Sequence, residues 1–341
     1  MKLIHSFSTA LLGAALLMAG CSSDTSTTSS TSSTAKSDAV SNESEVTIGI
    51  LQYVEHPALD AATEGFEDYL KDNGYADAKI DFKSAQGEIA NCTSIAQKFV
   101  NDDVSLIFAV ATPAAQAAAN ETKDIPIVLS AVTDPADSGL VKSNEEPGGN
   151  VTGSSDLTPV EAQFDLLQEI LPDVKTIGLL YCNAEANSVF QINLAKEQCE
   201  ERGLEYKEAS VTDSNQIQQV VESLNGKVDA IYVPTDNMMA ESMATVTQAA
   251  SQYGIPCIVG EEGMVENGGL ATYGINYYEL GQLAGAQAVA ILKDGDKPAE
   301  MAIAYLPADQ CTLTINKKTA ETLNLDIPQS VLDRATVVGE E

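Results

Sequence analysis

The sequence predicts an α/β protein with two similar lobes, each built on a parallel sheet. Two stretches share one form, Val104–Gln116 and Lys227–Met239, in which a buried strand ends at a threonine and a proline and a helix follows. Each is followed by a short apolar strand containing Ile-Pro, at Ile125–Ser130 and Ile255–Gly260. Strands that alternate with helices favour a parallel sheet with helices on both faces. Two such halves, with polar groups at the carboxyl ends of their strands, predict a ligand cleft between the lobes.

The elements of the first lobe follow from short apolar runs and from periodic helical faces. Pro57 suits the first turn of a helix, Gly74 suits its end, and Leu59, Phe66 and Leu70 lie on one face between them. The predicted elements are strand Val46–Leu51, helix Pro57 to about Asn73, strand Lys79–Ser84, helix Ile89–Asn101, strand Leu106–Val110, helix Pro113–Glu121, strand Ile127–Leu129 and strand Val151–Ser154.

The same alternation begins again after Asp156. The predicted elements are helix Val160–Leu171, strand Thr176–Tyr181, helix Ala186–Arg202, strand Glu205–Ser210, helix Asn215–Leu224, strand Ala230–Val233, helix Met238–Tyr253, strand Cys257–Val259, segment Leu270–Gly274, helix Tyr278–Lys293, a strand near Met301–Tyr305 and a last unit Thr312–Leu323. Further crossings near Asn276 and Pro307–Cys311 would make a three-strand hinge. We therefore expect lobe 1 to hold residues 46–156 plus about 277–309, and lobe 2 to hold 157–276 plus about 310–341.

Composition limits the partners of the chain. Its 341 residues, 44% of them hydrophobic, suffice for two cores of ordinary domain size. The formal net charge of −32 at pH 7 gives an acidic surface that repels nucleic acid, so nucleic-acid binding is excluded.

The first twenty residues have the pattern of a secretory signal. Lys2 and His5 precede the apolar run Ala10–Ala19, which is too short to span a membrane, and small residues precede Cys21. Residues 21–45 are rich in Ser and Thr and predict a flexible tether. The segment Leu17–Cys21 resembles a bacterial lipobox, which implies that Cys21 becomes the first residue and carries lipid; the alternative is an ordinary secreted protein.

The cysteine and histidine content argues against a disulfide framework and a metal site. Five cysteines remain after Cys21, an odd number without any C-x-x-C spacing, so at least one thiol must be free. Cys182 and Cys199 flank one strand–helix unit and could pair. His56 is the only histidine beyond the signal and no calcium-loop pattern occurs, so we predict neither a metal nor a cofactor.

Eight short segments, taken in order, carry a family resemblance that covers most of residues 46–338. They resemble the substrate-binding lipoproteins of ABC transporters of the TrpX type, which bind tryptophan or tyrosine and have the type I periplasmic binding protein fold. The segments are Gln52–Asp60, Ala111–Gln116, Val132–Pro135, Asn150–Gly153, Glu185–Ser188, Pro234–Asn237, Ala271–Gly274 and Ile327–Ser330. The stretch Tyr181–Asn183 departs from the family pattern through its cysteine.

The resemblance implies a monomeric, lipid-anchored solute-binding protein on the outer face of the cytoplasmic membrane, with an ABC permease as its partner. The implied ligand is an aromatic amino acid, whereas a branched aliphatic amino acid or another small solute remains an alternative, as does a ligand sensor that docks on a membrane receptor. An enzyme is not expected, because there is one histidine beyond the signal and no G-x-S-x-G, G-x-G-x-x-G or P-loop motif.

Parallel sheets bind ligands beyond the carboxyl ends of their strands, which selects the candidate residues. For the carboxylate of an amino acid we predict Thr112 at a helix start, with Ser130 or Thr133. The ammonium would meet Asp236 first, with Asp156, Glu185 and Asn237 as alternatives, although Asp236 and Asn237 could serve only as helix caps. The full candidate set is Tyr53, His56, Thr112, Pro113, Ser130, Thr133, Asp156, Asn183, Glu185, Asn187, Ser188, Asp236, Asn237, Tyr273 and Asn276, in which Tyr53, His56, Pro113 and Tyr273 are the predicted aromatic walls.

Overall fold

The computed structural model describes residues 46–339, which belong to one compact unit. The predicted signal segment, Cys21 and the predicted tether lie outside the described residues. No helix within the described range is long and apolar enough to cross a membrane.

Strands and helices alternate along the chain as the sequence predicts. The first part contains β1 (Thr47–Gln52), α1 (Pro57–Leu70), β2 (Lys79–Ser84), α2 (Ile89–Asn101), β3 (Leu106–Val110), α3 (Thr112–Glu121), β4 (Ile127–Ser130) and β5 (Val151–Ser155). The remainder contains α4 (Val160–Ile170), β6 (Thr176–Cys182), α5 (Ala186–Glu201), β7 (Glu205–Val211), α6 (Ile217–Ser223), β8 (Ala230–Val233), α7 (Asn237–Glu241), α8 (Met243–Ser251), β9 (Cys257–Val259), α9 (Glu262–Glu266), β10 (Ala271–Gly274), α10 (Tyr277–Val289), β11 (Ala304–Tyr305), β12 (Thr312–Asn316), α11 (Lys317–Thr322), α12 (Gln329–Leu332) and β13 (Thr336–Val338).

These strands form two sheets. The six-stranded sheet has the order β11-β5-β4-β3-β1-β2 and the seven-stranded sheet the order β13-β12-β10-β9-β8-β6-β7. The late strand β11 joins the first sheet by pairing with β5, so the chain passes between the two sheets three times. The predicted fold class, two α/β lobes with largely parallel sheets, is confirmed. The lobe boundaries given above stay a prediction.

One strand pair departs from the predicted parallel arrangement. Strand β12 runs antiparallel to β10, with Thr312 opposite Gly274. The reason is the path of the chain: β11 is parallel in the first sheet and therefore ends at the cleft, and the chain crosses directly into the second sheet from that side. It enters where the parallel strands end and must run against them.

Several predicted boundaries are wrong at short or broken elements. The helix expected over 238–253 is two helices, because Ser242 (φ −101°, ψ 12°) interrupts the backbone ladder. The strand expected near 301–305 shrinks to two residues, since Ile303 donates to the loop carbonyl of Asn144 instead of to a strand. Elements α9, α12 and β13 have three to five residues each, too few for a periodic signal, and were not predicted.

Helices α1 and α10 pack closely over the first sheet. A Cβ added at Gly65 would lie 2.0 Å from the carbonyl oxygen of Tyr278, and one added at Gly281 would lie 2.0 Å from that of Ala62. Glycine is therefore required on both faces, because any side chain would separate the backbones. Beneath α1, the rings of Phe66 and Phe108 stack with centroids 3.7 Å apart. This packing fixes α1, and thereby the loop before it, against the first sheet.

The five cysteines within residues 46–339 are free thiols, so the prediction of at least one free thiol is confirmed. Cys92, Cys182, Cys199 and Cys257 are buried, and Cys311 is half-buried. The considered pairing of Cys182 with Cys199 does not form in the described chain.

Candidate ligand-binding site

A narrow cavity lies between the two sheets, at the carboxyl ends of their strands, and the space open to the centre of a water molecule is about 10 Å³, so the cavity is nearly closed in this structure. Residues from both lobes line it, because the parallel strands of each lobe end at this cleft. The lining residues are His56, Leu59, Ala131, Asp156, Asn187, Thr235, Asp236, Asn237, Ala240, Glu261, Met264 and Tyr277. Five of them, His56, Asp156, Asn187, Asp236 and Asn237, belong to the set predicted from the sequence.

Asp156 follows β5 and is held by two hydroxyl groups. Thr133 Oγ1 donates to its Oδ1 at 3.0 Å, and the phenol of Tyr277 donates to its Oδ2 at 2.9 Å. Burial raises the pKa of Asp156 to about 6, although the two hydroxyl donors lower it. The carboxylate is fixed in orientation and carries no cationic partner among its contacts.

Asp236 uses both of its oxygen atoms inside the protein. Its Oδ1 accepts from the backbone N–H of Met239 at 2.9 Å and thereby caps α7, while its Oδ2 accepts from the backbone N–H of Cys182 at 2.6 Å. The hydroxyl of Ser188 adds a further hydrogen bond. Burial raises the pKa of Asp236. These contacts fit the alternative stated above, in which Asp236 serves as a helix cap.

Glu185 lies behind the cavity wall and organises two amide side chains. Its Oε2 accepts from Asn237 Nδ2 at 2.5 Å and from Asn187 Nδ2 at 3.4 Å, and its Oε1 accepts from the backbone N–H of Met238 at 3.1 Å. Burial, and then the nearby charge of Asp236, raise the pKa of Glu185. Glu185 is not a lining residue, so its position suits support of the wall better than direct ligand contact.

Glu261 is a lining residue outside the predicted candidate set. It follows β9 after Gly260, so the strand-end rule that selected the other candidates also points to it. It caps α9 by accepting from the backbone N–H groups of Gly263 at 2.6 Å and Met264 at 2.8 Å. Burial raises the pKa of Glu261 to about 7.

The cavity is rich in carboxyl groups and other hydrogen-bond acceptors. Asp156, Asp236 and Glu261 line it, and no lysine or arginine occurs among the lining residues of the described chain. Buried charges normally require a compensating partner. The partner that this site lacks is a cation, which points to a ligand with an ammonium group.

Buried polar atoms without a protein partner mark the same region. Within residues 46–339 they include His56 Nδ1 and Asn187 Oδ1, both on lining residues, and Thr112 Oγ1 at the start of α3. Buried polar atoms are normally hydrogen-bonded, so these atoms are available to a ligand.

Two alanines at the ends of neighbouring strands have positive φ. Ala111 follows β3 with φ +81°, and Ala131 follows β4 with φ +56°. Such conformations are unfavourable for alanine and concentrate at binding and catalytic sites. The backbone is therefore strained where the cleft wall is formed, and Ala131 itself lines the cavity.

The remaining predicted residues are placed around the cavity or away from it. Tyr53 lies at the outer opening of the cleft, beside Cys182 and Met238. Ser130 and Ser154 share a hydrogen bond in the first lobe, and Asn276 caps α10. Pro113 is buried in the first turn of α3.

Two further predicted residues also lie outside the cavity lining. Asn183 is exposed and donates to Ser210 Oγ at 3.3 Å. Tyr273 lies in β10 and packs against the core of the second lobe, because alternate residues of a strand point to opposite faces of the sheet. The buried aromatic side chain at the cavity is Tyr277, which follows the second crossing.

Two direct hydrogen bonds join the lobes across the cleft. His56 Nε2 lies 3.5 Å from Asn237 Oδ1, and Gln191 Nε2 donates to Thr133 Oγ1 at 3.4 Å. Each bond connects a residue of the first lobe to one of the second, so the cavity is closed.

The pH dependence of stability should reveal the buried carboxylates. Because the folded protein keeps protons on Asp156 and Glu261 that the unfolded chain releases, its free energy of unfolding should fall as pH rises from about 4 to 7. His56 acts in the opposite direction, since burial lowers its pKa to about 4 and its contribution rises from pH 4 to about 6.5. We expect Glu261→Gln to reduce the loss between pH 5 and 7 by about 1–3 kcal/mol in urea unfolding of the ligand-free protein. The exposed Glu55→Gln serves as the control, and identical slopes for wild type and Glu261→Gln would contradict the assignment.

A two-lobed α/β fold with an acceptor-lined cavity between its lobes is typical of solute-binding proteins. The chain belongs to the ABC transporter substrate binding protein family, whose family model matches residues 47–338. More distant members of that class, below 25% identity, share the fold.

Proteins with closer sequence similarity carry more specific descriptions. A tyrosine-binding protein of Clostridioides difficile (strain R20291) is 40% identical over 327 residues, which cover 95% of this chain and 92% of that protein. The ABC domain from Streptococcus pneumonia in complex with L-Trp is 38% identical, with a TM-score of 0.83 over 86% of this chain and 99% of that one. A substrate binding protein with adhesive properties from Clostridium difficile, in its ligand-free, open structure, is 42% identical, with a TM-score of 0.67 over 87% of this chain and 100% of that one.

Proposed function

We propose that the protein captures an aromatic L-amino acid in the interlobe cavity and delivers it to an ABC importer. The proposal rests on the closed cavity between the lobes. Buried carboxyl groups and acceptor atoms without a hydrogen-bond partner line it, and no lysine or arginine does within the described residues. The two relatives described as tyrosine-binding and as a complex with L-Trp support an aromatic ligand. Branched aliphatic amino acids and other small solutes are outcomes of the test below.

We assign the ligand ammonium to Asp156. Asp236 and Glu261 each accept two backbone N–H groups and are thereby committed to capping helices. Asp156 instead accepts from two hydroxyl groups, which leaves lone pairs for a cation. Asn187 Oδ1, a bare acceptor on the opposite lobe, would complete the ammonium site.

The ligand carboxylate fits the start of α3. The first N–H groups of a helix have no partner within the helix and favour an anion. Thr112 Oγ1 lies there, buried and without a protein partner. Leu59, Ala240, Met264 and Tyr277 are the cavity residues that suit an apolar or aromatic ligand side chain.

Closure of the lobes around the ligand is part of the proposal. The structure is more similar to the L-Trp complex than to the ligand-free, open structure, at comparable sequence identity. The bonds from His56 to Asn237 and from Gln191 to Thr133 would form on closure. A ligand that contacts both lobes stabilises this closed form by its differential affinity for it.

Catalysis is not proposed. The buried thiol nearest the cleft opening is that of Cys182, and burial raises its pKa to about 12, which disfavours the reactive thiolate. Asp236 and Glu261 are committed to helix capping, and Asp156 is the carboxylate that we assign to the ligand.

We further propose that Cys21 carries a lipid anchor and that residues 21–45 tether the monomeric binding body to the outer face of the membrane. A tether keeps the body near its permease at high effective concentration. The lipobox-like segment Leu17–Cys21 and the Ser/Thr-rich composition support this placement. Cys21→Ser is expected to move the protein from the membrane fraction to the medium, and retention on the membrane would contradict the anchor.

Thermal unfolding against a panel of solutes tests the proposed ligand. L-Tyrosine or L-tryptophan should stabilise the purified protein by about 2.7 kcal/mol at a hundredfold excess over the dissociation constant, because only the folded protein binds. Leucine, isoleucine, sugars and nucleosides should leave the melting temperature unchanged. Stabilisation by one of those solutes alone, or by none of the panel, would overturn the proposed ligand and leave the fold untouched.

A further inference from the structure

His56 presents a buried acceptor that no protein group uses. The residue precedes α1, and its side chain is only 8% exposed. A side chain at this position often accepts from the first turn of its helix, but the ring of His56 makes no such capping bond. Its Nδ1 therefore has no hydrogen-bond partner among the described residues, while the ring lines the cavity.

A chain of hydrogen bonds fixes which ring nitrogen carries the proton. Asn237 Nδ2 donates to Glu185 Oε2 at 2.5 Å, and this contact turns Asn237 Oδ1 toward His56 Nε2, 3.5 Å away. An amide oxygen can only accept, so Nε2 must be the donor and Nδ1 keeps its lone pair. Burial lowers the pKa of His56 to about 4, which keeps the ring neutral near pH 7.

The surroundings of the ring suit a ligand side chain better than a ligand ammonium. Two apolar residues flank the hydrogen bond between His56 and Asn237, which we call the bridge. Leu59 lies three residues after His56, and Ala240 lies three residues after Asn237, a spacing that places each beside the bridge on its own helix. Both are apolar cavity residues. The carboxylate that we assign to the ammonium, Asp156, is hydrogen-bonded to Thr133 and Tyr277 and not to His56 or Asn237 in the described structure.

We infer that His56 Nδ1 accepts a hydrogen bond from a donor on the ligand side chain, the phenol O–H of tyrosine or the indole N–H of tryptophan, and so discriminates against phenylalanine. The inference rests on the proposed function, since it assumes an aromatic amino acid in this cavity. A buried acceptor left without its donor is costly, so the ligand that lacks the donor should bind about ten- to a hundredfold more weakly. His56 is then a specificity-determining residue, and Asn237 and Glu185 are positioning residues that act through it.

The test combines a change in the protein with a change in the ligand. Calorimetry would compare L-tyrosine with L-phenylalanine, and L-tryptophan with 1-methyl-L-tryptophan, which differ at the side-chain donor. His56→Phe removes the acceptor and keeps a flat ring. The wild type should prefer the donor-bearing member of the pair that it binds. In His56→Phe the two affinities should differ by no more than about twofold. Both affinities should also fall by a common factor, because the hydrogen bond between the lobes is lost.

A spectroscopic measurement keeps the inference testable if His56→Phe does not fold. His56 is the only histidine besides His5, so the full chain with His5→Gln and ¹⁵N-labelled histidine gives a single imidazole signal pair. Without ligand, Nδ1 should show the shift of an unprotonated nitrogen. That signal should move on addition of the donor-bearing amino acid and stay in place with phenylalanine or with 1-methyl-L-tryptophan.

The outcomes separate the inference from the proposed function. If His56→Phe weakens the binding of both ligands of a pair by the same factor, the preference is unchanged and the inference is overturned. Aromatic amino-acid binding would remain intact in that case. A wild type without any preference within the pair would also overturn the inference and leave that binding intact. If neither pair binds to the wild type, the proposed function fails and this inference with it.

Discussion

Asp156→Asn is expected to weaken binding of the amino acid by about 30- to 3,000-fold, which corresponds to about 2–5 kcal/mol for the loss of one partner of a buried charge pair. Asparagine has nearly the size of aspartate, so the packing against Thr133 and Tyr277 persists while the negative charge is lost. The ligand ammonium would then lie in a closed cavity without its counter-charge. Isothermal calorimetry with L-tyrosine or L-tryptophan at pH 7 measures the effect.

Two further variants sharpen this test. Asp173→Asn changes an exposed aspartate and should leave the affinity unchanged. Asp236→Asn should lower the free energy of unfolding, because both oxygens of Asp236 accept backbone N–H groups and an asparagine can accept only one of them. If Asp156→Asn binds within threefold of the wild type while Asp236→Asn loses binding without loss of stability, the ammonium belongs to Asp236.

Gly281→Ala is expected to destabilise the protein by about 1–3 kcal/mol or more, the cost of forcing extra volume into a packed interface. The added Cβ would lie 2.0 Å from the carbonyl oxygen of Ala62, a backbone atom of α1 that can move only with its helix. Separation of α10 from α1 would also disturb the loop that carries His56, so ligand affinity should fall together with stability. Urea unfolding monitored by circular dichroism measures the change.

Gly149→Ala is the matched control for this prediction. A Cβ at Gly149 meets no atom within 4 Å, and its φ is not positive, so the stability should stay within about 0.5 kcal/mol of the wild type. A Gly281→Ala variant as stable as Gly149→Ala would show that the two helices separate at little cost.

Elements with strong local signals were predictable from the sequence. Strand β3 and helix α2 match their predicted bounds because an apolar run and an amphipathic face are properties of the segment itself. Helix α9 and strand β13 were missed because five and three residues are too few to show a periodic pattern. The direction of β12 depends on the point where the chain re-enters the second lobe, which no local pattern encodes.

The sequence predicted a cleft between the lobes but only part of the residues that line it. Five residues that the strand-end rule selected, His56, Asp156, Asn187, Asp236 and Asn237, line the cavity, and their contact with a ligand stays a prediction. The rule could not separate Asp156, which is held by hydroxyl groups, from Asp236, which caps a helix, because both follow strands in the sequence. Tyr277 was not among the predicted residues, because the side-chain directions within β10 and at the start of α10 become known only with the strand register.

The way the chain crosses between its lobes determines the order in which they can be completed. Helix α10 and strand β11 belong to the packing of the first lobe but follow the strands β6–β10 of the second. When the chain emerges amino terminus first during synthesis and export, the face of α1 around Ala62 and Gly65 has no partner until α10 arrives. The first lobe therefore begins to fold first but is completed late, because nearly the whole polypeptide must be made before α10 can pack on α1. Premature release or truncation near residue 276 would leave that apolar face of α1 exposed to aggregation.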